Sequence, residues 1–386
     1  MSQDFLPFAK PSLSQAAIDE VVACLKSGWI TTGPRVQRFE EMLQAYLQAP
    51  HVLALSTATA GLHLALLALD LKPGDEVITT PYTFVATLNT IVQAGAKPVL
   101  VDIEPHTRNL DVAKIQSAIT PRTRVIMPVH FAGLPVDLDP IYELAKQYNL
   151  RVIEDAAQAI GTHYKGKILG SFGDIQVFSF HPNKNMTTGE GGCVATRDPA
   201  IADFITRMRF HGIDRKDAWN RFSKNGSQYY DVMAPGFKYN MMDIQAAIGI
   251  HQLPELESFI ERRTQLVNRY QTVLKDWPEW ELPAIPAYSH KHSWHLYNPL
   301  LTDKAKISRD EFINAMKEAN IGIGYHYQAA HLFNFYQQEF GYKIGDFPIA
   351  EDVANRIVSL PLFPSMTDSE QERVIATMAT VLNRSI

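Results

Sequence analysis

Lys184 stands inside SFHPNKNMTTGEGG, residues 179–192, between a run that reads as a strand and a run that reads as a turn. Ile175-Gln176-Val177-Phe178-Ser179-Phe180 mixes β-branched and aromatic residues over strand length, and Pro182 ends it. An amine just past a strand end of an open α/β sheet faces the crevice where such sheets bind ligands, and there it is a candidate nucleophile. Thr187 to Gly192 is turn-rich and lets the backbone approach whatever is bound. A lone loop lysine is ordinarily just solvated, so its company decides. Asp155 closes the apolar run Arg151-Val152-Ile153-Glu154, which places a carboxylate at the end of a buried strand. The stretch from Leu53 to Leu69 reads as a strand, then Ser56-Thr57-Ala58-Thr59, then an apolar helix. Hydroxyls and free N–H groups at Ala58 and Thr59, with the positive helix end, make an anion site suited to phosphate. Pyridoxal phosphate needs these three things together: a lysine to form a Schiff base, a carboxylate on its pyridinium nitrogen, and an anchored phosphate.

These residues need a scaffold of alternating strands and helices. Strand-like runs at 76–80, 98–103, 124–129 and 151–153 alternate with helical patterns, which predicts a mainly parallel sheet covered on both faces. Ahead of it, helices are expected over 13–27 and 36–46, joined by a Gly/Pro loop that carries Trp29. Pro81-Tyr82-Thr83-Phe84 leads into a helix over 85–93, and the Phe84 ring there is suited to lie on a pyridine ring or to serve as core. A helix over 243–273 leads out of the sheet domain. Beyond it come a strand over 294–301, a helix capped by Ser308 and Glu311, a strand over 321–327, and a last helix capped by Thr367 and Glu370. The expected domains are 1–250, a large cofactor-binding unit with an N-terminal arm, and 251–386, a smaller α+β unit.

The 386 residues suffice for two cores, and a net charge of −5 gives no basic footprint for nucleic acid. Two cysteines far apart form neither a disulfide framework nor a metal box. No signal-like N-terminus or membrane-spanning apolar run stands out, so a cytoplasmic protein that does not insert in a membrane is expected. His290, His292 and His295 invite a metal reading. On a strand, however, the first two share a face and the third points away, so no metal site is expected.

An ordered series of motifs, STATAGLHLALLAL, PGDEVITTPYTFVATLN, GAKPVLVDIEP, ITPRTRVIMPVHFAG, VIEDAAQAIG, GSFGDIQVFSFHPNKNMTTGEGG and DIQAAIG, resembles the DegT-type PLP-dependent sugar aminotransferases of the aspartate aminotransferase fold. Within that family, GFKYNMMDIQAAI, HSWHLY, GIGYHYQAAH and SLPLFPSMT are most similar to the enzymes that make UDP-4-amino-4-deoxy-L-arabinose. The resemblance implies fold type I, with a mainly parallel seven-stranded sheet between helices in the large domain. It implies Lys184 as the cofactor lysine and Asp155 on the ring nitrogen. Phe84 would stack on the ring, Gln158 would meet the phenolic oxygen, and Ser179 would meet the phosphate. It implies a homodimer in which one chain's GFKYN segment reaches its neighbour's cofactor phosphate. Many relatives have GYNYR there. This chain has Lys238 in the Asn place and Asn240 in the Arg place, which leaves open which of them makes the contact. Substrate contacts are implied at Trp29, at His326 near the sugar, and at Tyr229 in an aromatic loop over 213–235 that covers the nucleotide end. For Trp29 the rival reading is core packing, and for His326 a satisfied structural histidine.

The sequence thus reads as an aminotransferase moving an amino group from glutamate to a nucleotide-linked 4-keto sugar, for surface-polysaccharide or other amino-sugar biosynthesis. A 3-keto-sugar aminotransferase, a deoxysugar dehydratase of the same fold, and a non-catalytic PLP-binding regulator are the alternatives. The dehydratases carry His at the lysine position, and a regulator would need a DNA-reading module that this chain lacks.

Overall fold

The structure is a computed structural model, describing residues 4–214 and 230–384. Its centre is one seven-stranded sheet made of β1 (His51–Leu55), β2 (Glu76–Thr79), β3 (Lys97–Leu100), β4 (Thr123–Ile126), β5 (Arg151–Asp155), β6 (Ile175–Ser179) and β7 (Gly192–Thr196). The spatial order is β1-β7-β6-β5-β4-β2-β3. From β6 to β3 all pairs are parallel, while β7 lies between β1 and β6, antiparallel to both. β2, β6 and β7 are buried along their whole length, which is why they read as apolar runs without alternation. This is the mainly parallel, helix-covered sheet of fold type I.

Helices α1 (Gln15–Ser27), α2 (Pro34–Leu47), α3 (Ala58–Leu67) and α4 (Ala86–Gln93) fall where the apolar periodicity puts them, within two residues at each end. α2 starts on Pro34, whose missing N–H costs nothing at a helix start, and buries Val36, Phe39, Leu43 and Leu47 on one face. α3 is buried nearly all round and capped by Thr57, whose hydroxyl accepts from Ala60 N–H at 3.0 Å.

A helix of 32 residues, Asp243–Leu274, runs on through Pro254 and belongs to two cores. Ala246, Ile250, Leu253, Leu256 and Ile260 pack with α2 and one face of the sheet. Leu266, Val267, Tyr270 and Leu274 pack with Trp277, Trp280, Tyr297 and Phe312 in a second core. Leu6 of the N-terminal arm is buried in that second core too, and its backbone bonds to Asn320 O and Gly322 N.

Two expected strands are corrected. Over 294–301 only Leu300–Leu301 is a strand, paired antiparallel with Trp280–Glu281. Over 321–327 there are only single bridges, Ile321 to Leu6 and Gly324 to Ser359. Trp294 takes a left-handed φ of 48°, which breaks the extended run. Side chains from elsewhere then take its carbonyls: Asn185 donates to Ser293 O, Arg263 to Trp294 O and His295 O, and Arg108 to Asn298 O. The apolar residues of 293–298 therefore form a strap rather than a sheet edge. The two capping boxes stand as expected, opening Arg309–Glu318 and Asp368–Val381. Among the described residues no helix is long and apolar enough to cross a membrane.

Candidate active site

A cavity of about 540 Å³ opens at the carboxyl ends of β5 and β6. Lys184, Asp155, Gln158 and Ser179 line it, together with Ala58, Thr59, Phe84 and His326. Five residues past β6, the Lys184 N–H closes a turn onto His181 O at 2.9 Å. Its side chain is partly open to the cavity, but its amine lies deep. Desolvation pulls the amine from the usual 10.5 to about 8, against the pull of the Asp155 carboxylate.

Asp155 is the last residue of β5 and is 5% exposed. Thr87 Oγ1 donates to its Oδ2 at 2.7 Å, and Ala157 N–H donates to its Oδ1 at 3.1 Å. Burial holds its pKa above the usual range despite these donors and the nearby Lys184 and His130. A buried carboxylate in that condition is a receptor for a cation. The period of two along a strand sends its neighbour Glu154 the other way, into a buried set with His130, Tyr142 and Gln176. Of the two tandem acids, only Asp155 serves the cavity.

The anion end is built where β7 begins beside the start of α3. A Cβ on Gly192 would lie 2.5 Å from Ala58 N and 2.7 Å from Phe178 O, so only glycine allows this approach. The N–H groups of Ala58 and Thr59 have no acceptor within the helix, and Ser179 Oγ lies on the same cavity. Phe84 is 57% exposed, and its ring sits 6.2 Å from that of Tyr327. Gln158 is fixed at both ends: its Oε1 accepts from Ala132 N–H at 2.8 Å, and its Nε2 donates to Tyr327 Oη at 3.2 Å. His326 pairs Nδ1 with Ser359 Oγ at 2.9 Å, and burial, then Lys184, pushes its pKa down to about 4. It is thus both a satisfied histidine and a cavity wall. The donor set, namely a deep amine, a carboxylate in want of a cation, an open aromatic face and a hydroxyl-lined helix start, fits pyridoxal phosphate.

Other expected residues lie elsewhere. The Trp29 indole donates to Thr32 O at 3.1 Å, and a Cβ on Gly33 would meet its Nε1 at 1.9 Å; it is not part of this chain's cavity wall. Lys238 and Asn240 also lie off the cavity, and they meet each other, Lys238 Nζ donating to Asn240 Oδ1 at 2.8 Å. Asn240 Nδ2 in turn donates to Thr32 Oγ1 at 2.5 Å. Tyr229 lies outside the described residues.

Several residues at the site, among them Tyr325 and Asn183, carry no signal in the sequence. Tyr327 lines the cavity. His295, weighed only as a metal ligand, brings Nε2 to 3.5 Å from Lys184 Nζ. Only His290–Lys291 is a strand there, paired with His163–Tyr164, and His292 stacks on Trp294 with ring centroids 3.7 Å apart. Among the described residues no three His, Cys, Asp or Glu side chains group to hold a metal.

Comparison with known proteins agrees with this geometry. Residues 11–379 match the DegT/DnrJ/EryC1/StrS aminotransferase family. The spore coat polysaccharide biosynthesis protein SpsC of Bacillus subtilis is 45% identical over 380 residues, covering 98% of this chain and 97% of that protein. Spr1654 from Streptococcus pneumoniae, in its PMP form, superposes with a TM-score of 0.90 at 33% identity, over 98% of this chain and 99% of that one. Helicobacter pylori PseC, an aminotransferase involved in the biosynthesis of pseudoaminic acid, does so with a TM-score of 0.90 at 28% identity, over 99% and 100%. This chain belongs to the DegT/DnrJ/EryC1/StrS family and is a pyridoxal-phosphate-dependent sugar aminotransferase.

Proposed function

We propose that the enzyme transfers an amino group from L-glutamate to the C4 carbonyl of a nucleotide-linked keto sugar, for surface polysaccharides such as lipopolysaccharide or for other amino-sugar products. The observation that carries this reading is the make-up of the cavity wall. Beyond Lys184, Asp155 and Glu190 it offers uncharged hydrogen-bonding groups, among them His326, Tyr325 and Asn183. Such groups suit the hydroxyls of a polyhydroxylated sugar, each of which can donate and accept a hydrogen bond. The relatives support it as well: SpsC is named for a coat polysaccharide and PseC for pseudoaminic acid.

Bound pyridoxal phosphate supplies the electron sink for the carbon that gains or loses a proton. Lys184 is the residue placed to carry that proton. With its pKa near 8, roughly a quarter of it is neutral at pH 7.5, enough to act as a base without being a poor acid. Asp155 would pair with the ring nitrogen and favour its protonated form. Ser179 and the start of α3 would hold the phosphate, Phe84 would cover the ring and Gln158 would orient it.

The enzyme works as a homodimer with shared sites, in which Lys238 and Asn240 serve the neighbour's cofactor phosphate. Their position off their own chain's cavity supports this. Two buried free cysteines suit a reducing cytoplasm.

The test offers glutamate with a panel of UDP-, dTDP- and GDP-linked keto sugars and measures 2-oxoglutarate. Release with a 4-keto sugar is expected, and release only with 3-keto sugars, or none from protein loaded with cofactor, overturns the reading. For the shared site, Lys184→Ala is mixed with a Lys238→Ala, Asn240→Ala double variant and the subunits are allowed to exchange. About a quarter of wild-type activity should return, and no return with exchange shown by mass spectrometry defeats sharing.

A further inference from the structure

His295 is 2% exposed, and the contact of its Nε2 with Lys184 Nζ at 3.5 Å is its imidazole's one hydrogen bond among the described residues. Its Nδ1 is buried with no partner. A neutral imidazole has one N–H and one lone pair. With Nε2 turned to an amine, the lone pair belongs there and the hydrogen sits on Nδ1, where nothing accepts it. A buried histidine more often pairs both nitrogens. His130 does so, with Val136 N–H on Nδ1 and Glu154 on Nε2.

The backbone of His295 is held with equal care. Arg263 is buried and donates Nη1 to the carbonyls of Trp294, His295 and Leu362, with no carboxylate among its hydrogen-bond partners in the described residues. A guanidinium left without a counter-charge is costly, and here it stands behind an imidazole. Burial, then the charges of Lys184 and Arg263, keep His295 neutral, and hence an acceptor; Asp155 lies beside Lys184.

We propose that His295 is a positioning residue for Lys184, its Nε2 accepting an N–H of the amine and tethering it at the floor of the cavity when the lysine is not bonded to cofactor. This rests on the reading of Lys184 as the reactive amine. The bond favours the ammonium over the amine, because a charged donor binds an acceptor more strongly, so burial rather than His295 is what lowers the lysine pKa. Taking the acceptor away lets that pKa fall further and frees the amine to wander.

The experiment uses full-length protein freed of cofactor. The pH dependence of reductive methylation at Lys184, read by peptide mass spectrometry, is compared in wild type, His295→Leu and His295→Gln. Wild type should show a midpoint near pH 8. His295→Leu should lower it by about half a unit to one unit, and His295→Gln, which keeps an acceptor, should restore it. Capture of added pyridoxal phosphate, trapped with borohydride, should slow several-fold in His295→Leu and recover in His295→Gln. Equal midpoints and capture rates in folded His295→Leu overturn the proposal. If that variant does not fold, the ¹⁵N resonance of His295 Nε2 decides: it should move between wild type and Lys184→Met, and an unmoved resonance overturns the tether. Borohydride trapping on a lysine other than 184 removes the premise instead, a result distinct from the failure of His295.

Discussion

On the sheet side of the cavity, Asp155 and Ser179 are the last residues of β5 and β6, fixed by ladder bonds up to the point where chemistry begins. On the strap side, His295 and Tyr327 lie in irregular backbone whose polar groups are met by single side chains. Arg263 holds the carbonyls of 294 and 295, and Tyr82 donates to His326 O at 2.9 Å while accepting from Tyr327 N–H at 3.0 Å. The sheet wall therefore carries reactive groups that cost the fold stability, and the strap wall carries groups on which the shape depends. Substitutions on the two walls should separate accordingly, with chemistry lost on one and stability lost first on the other.

Lys184→Ala should have the largest effect. Turnover should fall by about 10⁴-fold or more and the borohydride-reducible linkage should vanish, while the melting temperature of cofactor-free protein does not fall. Activity or a reducible adduct surviving in that variant would undo the sheet-wall assignment. Asp155→Asn should come next, at about 10²- to 10³-fold in turnover, or roughly 3–4 kcal/mol of lost transition-state stabilisation. The same change should raise the melting temperature of cofactor-free protein at pH 7. Because burial lifts the folded pKa of Asp155 above 3.8, the folded state keeps the proton longer than the unfolded one. Stability is therefore lost as pH rises through that window, and the loss is complete above it. The gain from Asn should shrink toward pH 3, and an equal gain at both pH values would contradict the cause given.

On the strap wall, Arg263→Met should destabilise the protein by about 2–4 kcal/mol, because three buried carbonyls lose their donor, and should slow turnover about tenfold. Denaturant melts set beside steady-state rates check it; unchanged stability would mean that the strap is held by something else. Tyr82→Phe should have the smallest effect, about 1–2 kcal/mol in stability and a few-fold in rate. If it abolished turnover at wild-type stability, the contrast between the walls would fail.

The same contrast explains what the sequence makes legible. Lys184, Asp155 and Thr59 are each announced within a dozen residues, by a strand that stops, a turn that follows, or a helix that starts. Glu154 beside Asp155 is sorted by the alternation of a strand alone. His295 has no such announcement. It reaches Lys184 because Arg263, 32 residues upstream, and Asn185, 108 away from Ser293, hold its strap in a shape that apolar patterning reads as a strand. Buried arginines bonded to carbonyls leave no periodic trace, and the strand expected over 321–327 fails for the same reason: its partners are one residue of the arm and one of a distant loop. Trp29 shows another limit, since a loop tryptophan implies a packing partner without saying which, and here it is Gly33.

The arm itself has a consequence for synthesis. Leu6 exchanges backbone bonds with Asn320 and Gly322, Phe8 O accepts from Leu362 N–H, and Asp4 O accepts from Arg373. At about 5–20 residues per second, roughly 15 seconds to a minute of translation separates Leu6 from its first backbone partner. Through that interval Leu6 and Phe8 lack the residues that bond to them in the folded chain. The arm is thus made well before it can be placed.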